Sequence, residues 1–366
     1  MRRSPLAQRR DSPARPVETM VGKKAAEVAS MNVLVCVEPG RLELQSRPEP
    51  VRAAGDALVR PRHVGICGTD YHIYEGKHPY LKYPRVMGHE LAVEVVEPPT
   101  GANVAAGETC VVNPYISCGQ CSACRRGKPN CCARLSVLGV HQDGGMADLL
   151  ALPAGNLIRA EGLSSDQCAT VEFLAIGAHA VRRGQVTAQD RVLVVGAGPI
   201  GLGTAIFARL AGGDVIVFDS DAERMTAAAA IAGTGMLPAA MSPVDAVHAL
   251  TAGEGFDVVF DATGNAQAME AGFQYVAHGG RYVFVSIVRG PITFDDPVLH
   301  GKEMTLYASR NATNDDFATV IAAIRSGAVD AGRLITHRTT LARAVDDIPR
   351  WAVEKRGLTK ALIDLA

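Results

Sequence analysis

The spacing of hydrophobic positions changes near residue 190. Before it, apolar residues come in short runs of strand type: Val33-Leu34-Val35-Cys36-Val37, then Leu42 and Leu44, then Ala57-Leu58-Val59, then residues 86–96. Pro48 and Pro50 break the series, as turns between short strands do. Residues 164–181 are rich in alanine and predict a helix that Ser164 or Ser165 caps. From Val192 onward, strands and helices alternate. Val192-Leu193-Val194-Val195, Val215-Ile216-Val217-Phe218, Val258-Val259-Phe260, Tyr282-Val283-Phe284-Val285 and Thr305-Leu306-Tyr307-Ala308 read as strands, with a weaker one near Met236-Leu237. Helices are expected at 199–210 and 222–232 between them, then at 315–325 and 342–354, before a last strand near Ala361-Leu362-Ile363. Strand–helix alternation implies parallel βαβ units and a doubly wound sheet. The chain therefore reads as a compact β-rich part followed by an α/β part.

Length and charge fit that division. The 366 residues suffice for two domains, and a net charge of −1 lacks the basic footprint of a nucleic-acid binder. No stretch approaches the ~20 continuous apolar residues of a membrane span. The longest uncharged run, residues 192–208, is broken by Gly and Pro. Residues 1–30 are rich in Arg, Pro, Ala and Ser and lack the apolar core of a secretory signal. They are expected to be a disordered extension, or to precede a natural beginning at Met31. Nine cysteines, most in one cluster, point to metal rather than a disulfide framework, and the protein is expected to be cytoplasmic.

Within the β-rich part, Gly65-Ile66-Cys67-Gly68-Thr69-Asp70-Tyr71-His72 is followed by Gly88-His89-Glu90. A thiol, an imidazole and a carboxylate close together suit zinc, and mixed S, N and O donors favour an open, catalytic site. Cys118, Cys121, Cys124 and Cys132 occupy one loop with little periodicity. Four thiolates at that spacing suit a closed structural zinc whose binding would order the loop. Cys131 stands beside Cys132, and spacing barely separates the two. Cys36, Cys110 and Cys168 read as small buried apolar residues.

The α/β part opens with Gly196-Ala197-Gly198-Pro199-Ile200-Gly201 after a strand and before a helix. Gly196 allows the tight turn, Gly198 lets the backbone approach a pyrophosphate, and Gly201 lets helix and strand pack closely. Pro199 suits the first helical turn. Asp219 ends the second strand at the offset expected for a ribose contact, and a carboxylate there repels a 2′-phosphate, so NAD is expected rather than NADP. Arg224 could argue the other way, and is expected on a solvated helix face.

In this order, these motifs resemble the zinc-dependent medium-chain dehydrogenases, the superfamily of alcohol, sorbitol and threonine dehydrogenases. The resemblance covers the chain from about Met31 to its end. It implies a GroES-like β-rich catalytic domain, residues 31–181 and 311–366, joined to a Rossmann NAD-binding domain, residues 182–310. It implies one catalytic and one structural zinc, NAD as the hydride acceptor, and a homodimer or homotetramer. Cys67 and His89 would hold the catalytic zinc. Glu90 or Glu172 would be the third ligand, with Asp70 orienting His89. Thr69 would bond the substrate oxygen, and His72 would pass the proton to solvent. Val93 and Phe173 stand where many members have Gly and Pro, which bears on fine geometry. Among branches, the chain looks closest to the bacterial polyol and sugar-acid dehydrogenases of the sorbitol and L-galactonate type. The polar and basic run 75–85 and Ser309-Arg310-Asn311 are candidate substrate contacts. A threonine 3-dehydrogenase-like enzyme and a non-catalytic NAD-binding relative are the alternatives.

Overall fold

The computed structural model describes residues 29–78, 81–237, 241–354 and 356–365. The expectation for residues 1–28 lies outside them, and the first strand, Ser30–Glu38, begins one residue before Met31. Among the described residues, no helix is long and apolar enough to cross a membrane.

Two sheets carry the architecture. In the larger, the strands run Leu157–Arg159, Thr109–Val112, Glu90–Glu97, Asp56–Ile66, Lys360–Asp364 and Ile335–Thr340, with Leu150–Pro153 paired to Asp56–Ile66. The last two strands come from the C-terminal end of the chain. Lys360–Asp364 pairs antiparallel with Asp56–Ile66, with Ala361 opposite Ile66 and Leu362 opposite Gly65. Gly65 in turn lies opposite Glu90 on its other side. The return of the chain thus sets Lys360 beside Glu90. Val93 is fully buried in this sheet, opposite Pro61 and Cys110, where a β-branched residue packs well.

The second sheet is parallel and six-stranded: Gly235–Met236, Asp214–Phe218, Arg191–Val195, Phe256–Asp261, Val276–Phe284 and Thr305–Ala308. Numbered along the chain this is 3-2-1-4-5-6, the doubly wound order. Val192, Val194, Val258 and Phe260 bury one face against the helices Val171–Gly184 and Pro199–Leu210. Leu193, Val195 and Val259 bury the other. Helices Pro199–Leu210 and Ala222–Ala232 stand where expected.

Residues 164–181 form two helices rather than one, Ser165–Cys168 and Val171–Gly184. Ser164 caps the first, accepting from the Gln167 amide. Thr170 then turns its hydroxyl onto the Gln167 carbonyl at 2.7 Å, competing with helix continuation, and the second helix starts afresh with Glu172 in its first turn. Helix Pro243–Thr251 was not anticipated, although Ser242 and Pro243 are a start signal.

Candidate active site

Cys67 follows the Asp56–Ile66 strand and stands at the N-cap of a short helix, Gly68–Tyr74, which was not expected in this stretch. Asp70 fastens the turn: one carboxylate oxygen accepts from the Cys67 amide at 2.8 Å and the other from the Gly88 amide at 3.3 Å. Those two bonds hold the Cys67 and His89 segments together. The expected Asp70–His89 bond is not formed. The carboxylate stands 4.0 Å from His89 Nδ1, which has no hydrogen-bond partner among the described residues, because both Asp70 oxygens serve backbone amides.

The Cys67, His89 and Glu90 donor atoms all lie within 4.8 Å of one another. Cys67 is partly accessible, while His89 and Glu90 are buried. A soft sulfur, an imidazole nitrogen and a carboxylate oxygen at this separation fit a zinc ion, and Cys67 is the partly accessible member. Burial alone would lower the His89 pKa, but the charge of Cys67, its hydrogen bond, Asp70 and Glu172 hold it well above the usual histidine value.

Glu90 is fully buried, and both its oxygens lie 2.7 Å from Lys360 Nζ, which is itself 2% exposed. Lys360 also donates to the Ile66 carbonyl at 3.3 Å and sits 4.3 Å above the Phe173 ring. Burial opposes its charge, yet Glu90 and Cys67 hold it protonated above the ordinary lysine range. Phe173 therefore forms the floor under this cation. A Cβ on Gly65 would fall 2.1 Å from Glu90 Oε2, so only glycine leaves the carboxylate its place.

Glu172 is not brought into the three-residue group. Its Oε1 accepts a hydrogen bond from the Tyr115 hydroxyl. Burial, above all, pushes its pKa up to about 7, with nearby His89 lowering and Glu90 raising it. Thr69 and His72 lie three residues apart on the Gly68–Tyr74 helix, so they share a face, and His72 is exposed.

In the cysteine loop, Cys118, Cys121, Cys124 and Cys132 also bring their sulfurs within 4.8 Å of one another. Cys132 is buried and Cys131 exposed, so it is Cys132 that joins the cluster. The Gln120 amide and Arg134 pull the Cys118 thiol down to about 5, and the amides of Cys124 and Ala133 pull Cys121 to about 7. Desolvation and the neighbouring thiols raise Cys124 instead, to about 11, so two of the four thiols are inclined to ionise before a metal binds. Strands Tyr115–Ile116 and Ser136–Val137 pair across the base of the lobe.

At the head of the parallel sheet, Gly198 caps the Pro199–Leu210 helix with open space around the position of a Cβ, while a Cβ on Gly201 would fall 1.7 Å from the Gly196 carbonyl. The first leaves room for a phosphate, and the second enforces close packing. Pro199 and Ile200 open the helix, partly exposed. Asp219 follows the Asp214–Phe218 strand and accepts from the Ala197 amide at 2.8 Å and the Asp221 amide at 2.9 Å. Arg224 is exposed, as expected of a solvated helix face, and its guanidinium lies 3.7 Å from Asp219 and 3.9 Å from Asp221.

The family model described as alcohol dehydrogenase GroES-like domain matches residues 53–162, and that described as zinc-binding dehydrogenase matches residues 199–326. The chain is 40% identical to the L-galactonate-5-dehydrogenase of Escherichia coli K12, over 92% of this chain and 99% of that one. The chain belongs to the zinc-type medium-chain dehydrogenases. Within that family it is 33% identical to the L-threonine 3-dehydrogenase of Bacillus licheniformis, over 82% of this chain and 89% of that one. Among solved structures it resembles an alcohol dehydrogenase, RspB of Escherichia coli CFT073, in complex with NADH. The TM-score is 0.86 at 30% identity, covering 92% of this chain and 99% of that one. Of the residues around the site, sequence reasoning missed Lys360 and Tyr115. A lysine opening an apolar strand, Lys360-Ala361-Leu362-Ile363, was the only signal for the first, and nothing marked the second.

Proposed function

We propose that this dehydrogenase oxidises a secondary hydroxyl of a polyol or, by preference, a sugar acid, using NAD. The Cys67–His89–Glu90 group carries the reading: three unlike donors within 4.8 Å, in the arrangement of a catalytic rather than a structural site. These residues would hold the catalytic zinc, and the four cysteines of the loop a structural one. Gly196, Gly198, Gly201 and Asp219 would hold the dinucleotide, with Arg224 beside the ribose end. The domains would divide at about residues 181 and 311, and the protein would work as a homo-oligomer in the cytoplasm.

Bound there, zinc supplies a Lewis acid that acidifies the substrate hydroxyl, and NAD supplies the hydride acceptor. The protein's own part is proton handling and orientation. Thr69 accepts the hydroxyl proton at its Oγ and donates its own toward His72, one turn along the same helix face. Exposed His72 releases it to solvent. Lys360 fixes Glu90, and Asp70 fixes the backbone on which Cys67 and His89 stand.

The basic groups that act on His78 and His141 bear on the choice of a sugar acid. His78 is partly buried, and burial together with the charges of His141, His72, His89 and Arg289 pushes its pKa down to about 4. His141 is lowered by burial and by Arg310 and Arg85. Both histidines are thereby held neutral near pH 7, which leaves Arg289 and Arg310 as the nearby cations for a carboxylate. The identity to an L-galactonate dehydrogenase supports the same class.

The test is zinc content of the parent and of Cys67→Ser, followed by NAD-linked turnover of L-galactonate, sorbitol and L-threonine. Two zincs falling to one, with fastest turnover of the sugar acid, is expected. Preference for threonine would move the substrate to that branch. Zinc content unchanged by Cys67→Ser, with no turnover of any of the three, would favour a non-catalytic NAD-binding protein.

A further inference from the structure

We infer that Tyr115 is a positioning residue that keeps Glu172 out of the ligand set of the Cys67–His89–Glu90 site, and so leaves a coordination position open to the substrate hydroxyl. The inference rests on the reading of those three residues as zinc ligands.

Two buried carboxylates flank the site, and their partners differ in kind. Glu90 faces a cation, with Lys360 Nζ equidistant from both oxygens. Glu172 faces a neutral phenol, through Oε1 alone. Glu90 belongs to the three-donor group and Glu172 does not, although Glu172 is close enough for its charge to act on His89. A fourth protein ligand is what separates a closed structural zinc from an open catalytic one. A second carboxylate on the ion would therefore compete with substrate for the same position.

Tyr115 is built to prevent that. Its side chain is 9% exposed, so the phenol is held by packing rather than by solvent. Its amide donates to Asn113 Oδ1 at 3.0 Å, and its carbonyl accepts from Asn156 Nδ2 at 3.4 Å. It begins the strand that pairs with Ser136–Val137 at the base of the cysteine lobe. The strand pair at the base of the four-cysteine lobe and the phenol thus link that lobe to a carboxylate on a separate helix. This gives the lobe a connection to the chemistry, although its sulfurs form a separate cluster.

The experiment uses cobalt in place of zinc in the full-length protein, with Cys67→Ser as the control that identifies bands from this site. Tyr115→Phe removes only the hydroxyl. The expected result is a shift of the cobalt bands, slower metal release to a chelator, and kcat lowered roughly tenfold with KM little changed. Adding Glu172→Gln to Tyr115→Phe should return bands and release rate to those of the parent. A Tyr115→Phe protein with parental bands and release rate would overturn the inference, as would a double variant that fails to revert. Glu172→Gln alone is informative even if Tyr115→Phe folds poorly. Parental bands are expected, and shifted bands would mean that Glu172 already binds the metal, which overturns the proposal. If Cys67→Ser leaves the parent's metal content and bands unchanged, the zinc reading itself falls and this inference with it.

Discussion

Replacing Lys360 with methionine should uncover the cost of the buried ion pair. Lys360 and Glu90 are 2% and 0% exposed, and the ammonium bonds both carboxylate oxygens at 2.7 Å. Methionine fills much of the volume of the lysine stem and keeps a contact with Phe173, so packing loss is small. What is lost is the partner of a carboxylate with no access to water. Breaking such a pair by removing one member costs about 3–5 kcal/mol. Trp351 is the chain's one tryptophan and lies in the same core as Ala361 and Ile363, so its fluorescence follows unfolding of the domain that contains the pair. With a urea slope near 3 kcal/mol/M, the midpoint of the metal-free protein should fall by roughly 1–1.7 M. Zinc-loaded protein should lose less, since Glu90 then has a second cation to face. The double variant Glu90→Gln, Lys360→Met should recover part of the loss, because no charge remains to be paired. A midpoint unchanged in metal-free Lys360→Met would refute the argument, and would mean that Glu90 is neutral or reached by water once the lysine is gone.

Three further outcomes follow from other parts of the molecule. Asp316 is 2% exposed; burial alone would raise its pKa, but hydrogen bonds from His179, Arg182 and Thr313 hold it well below the carboxylate range. Its stabilisation is therefore present above the unfolded aspartate value and lost as pH falls through the folded one. Asp316→Asn should cost about 2–3 kcal/mol at pH 7, a figure discounted for half-exposed Arg182, and should flatten the acid limb of a Tm–pH curve; a parallel, undiminished acid limb would contradict this. Cys121→Ser should remove one zinc per chain by metal analysis and leave the Cys67 site loaded; loss of both zincs would show that the lobe and the catalytic site do not fold independently. Asp219→Ser should lower the NAD-to-NADP ratio of kcat/KM by roughly 10–100-fold, the value of a hydrogen bond to a charged group, with Arg224 freed to meet a 2′-phosphate.

What the sequence revealed was set by distance along the chain. The glycine-rich turn, Asp219 and the strands of the parallel sheet are local patterns, and helices Pro199–Leu210 and Ala222–Ala232 stand where periodicity placed them. The two metal clusters follow from donor type and spacing. The partners of those donors do not. Lys360 reaches Glu90 across 270 residues because a C-terminal strand inserts beside Asp56–Ile66, and no local signal fixes which residue of that strand faces Gly65. Tyr115 reaches Glu172 across 57 residues, between a lobe and a helix whose start depends on a single threonine turn at residue 170. Arg224 lies on the exposed helix face expected of it, and only its approach to Asp219 and Asp221 was not legible.

Those long-range partners also explain the site's electrostatics. Asp70, Glu90 and Glu172 are all buried around Cys67 and His89, and Lys360 is the cation that bonds directly to one of them. Burial raises Asp70 and Glu172 above ordinary carboxylates and drives Tyr115 well above an ordinary phenol, with neighbouring negative charge adding to each. Solvent exchange cannot relieve acids placed this way, and further lysines would fill the space a substrate needs. A divalent cation meets both demands, since it concentrates charge in a small volume and accepts S, N and O donors together. The division of labour then follows from the tethers. Glu90 is held at its place by Lys360 and Glu172 bonds Tyr115, so on the proposed reading the side beside Cys67 would be left for the hydroxyl to be oxidised.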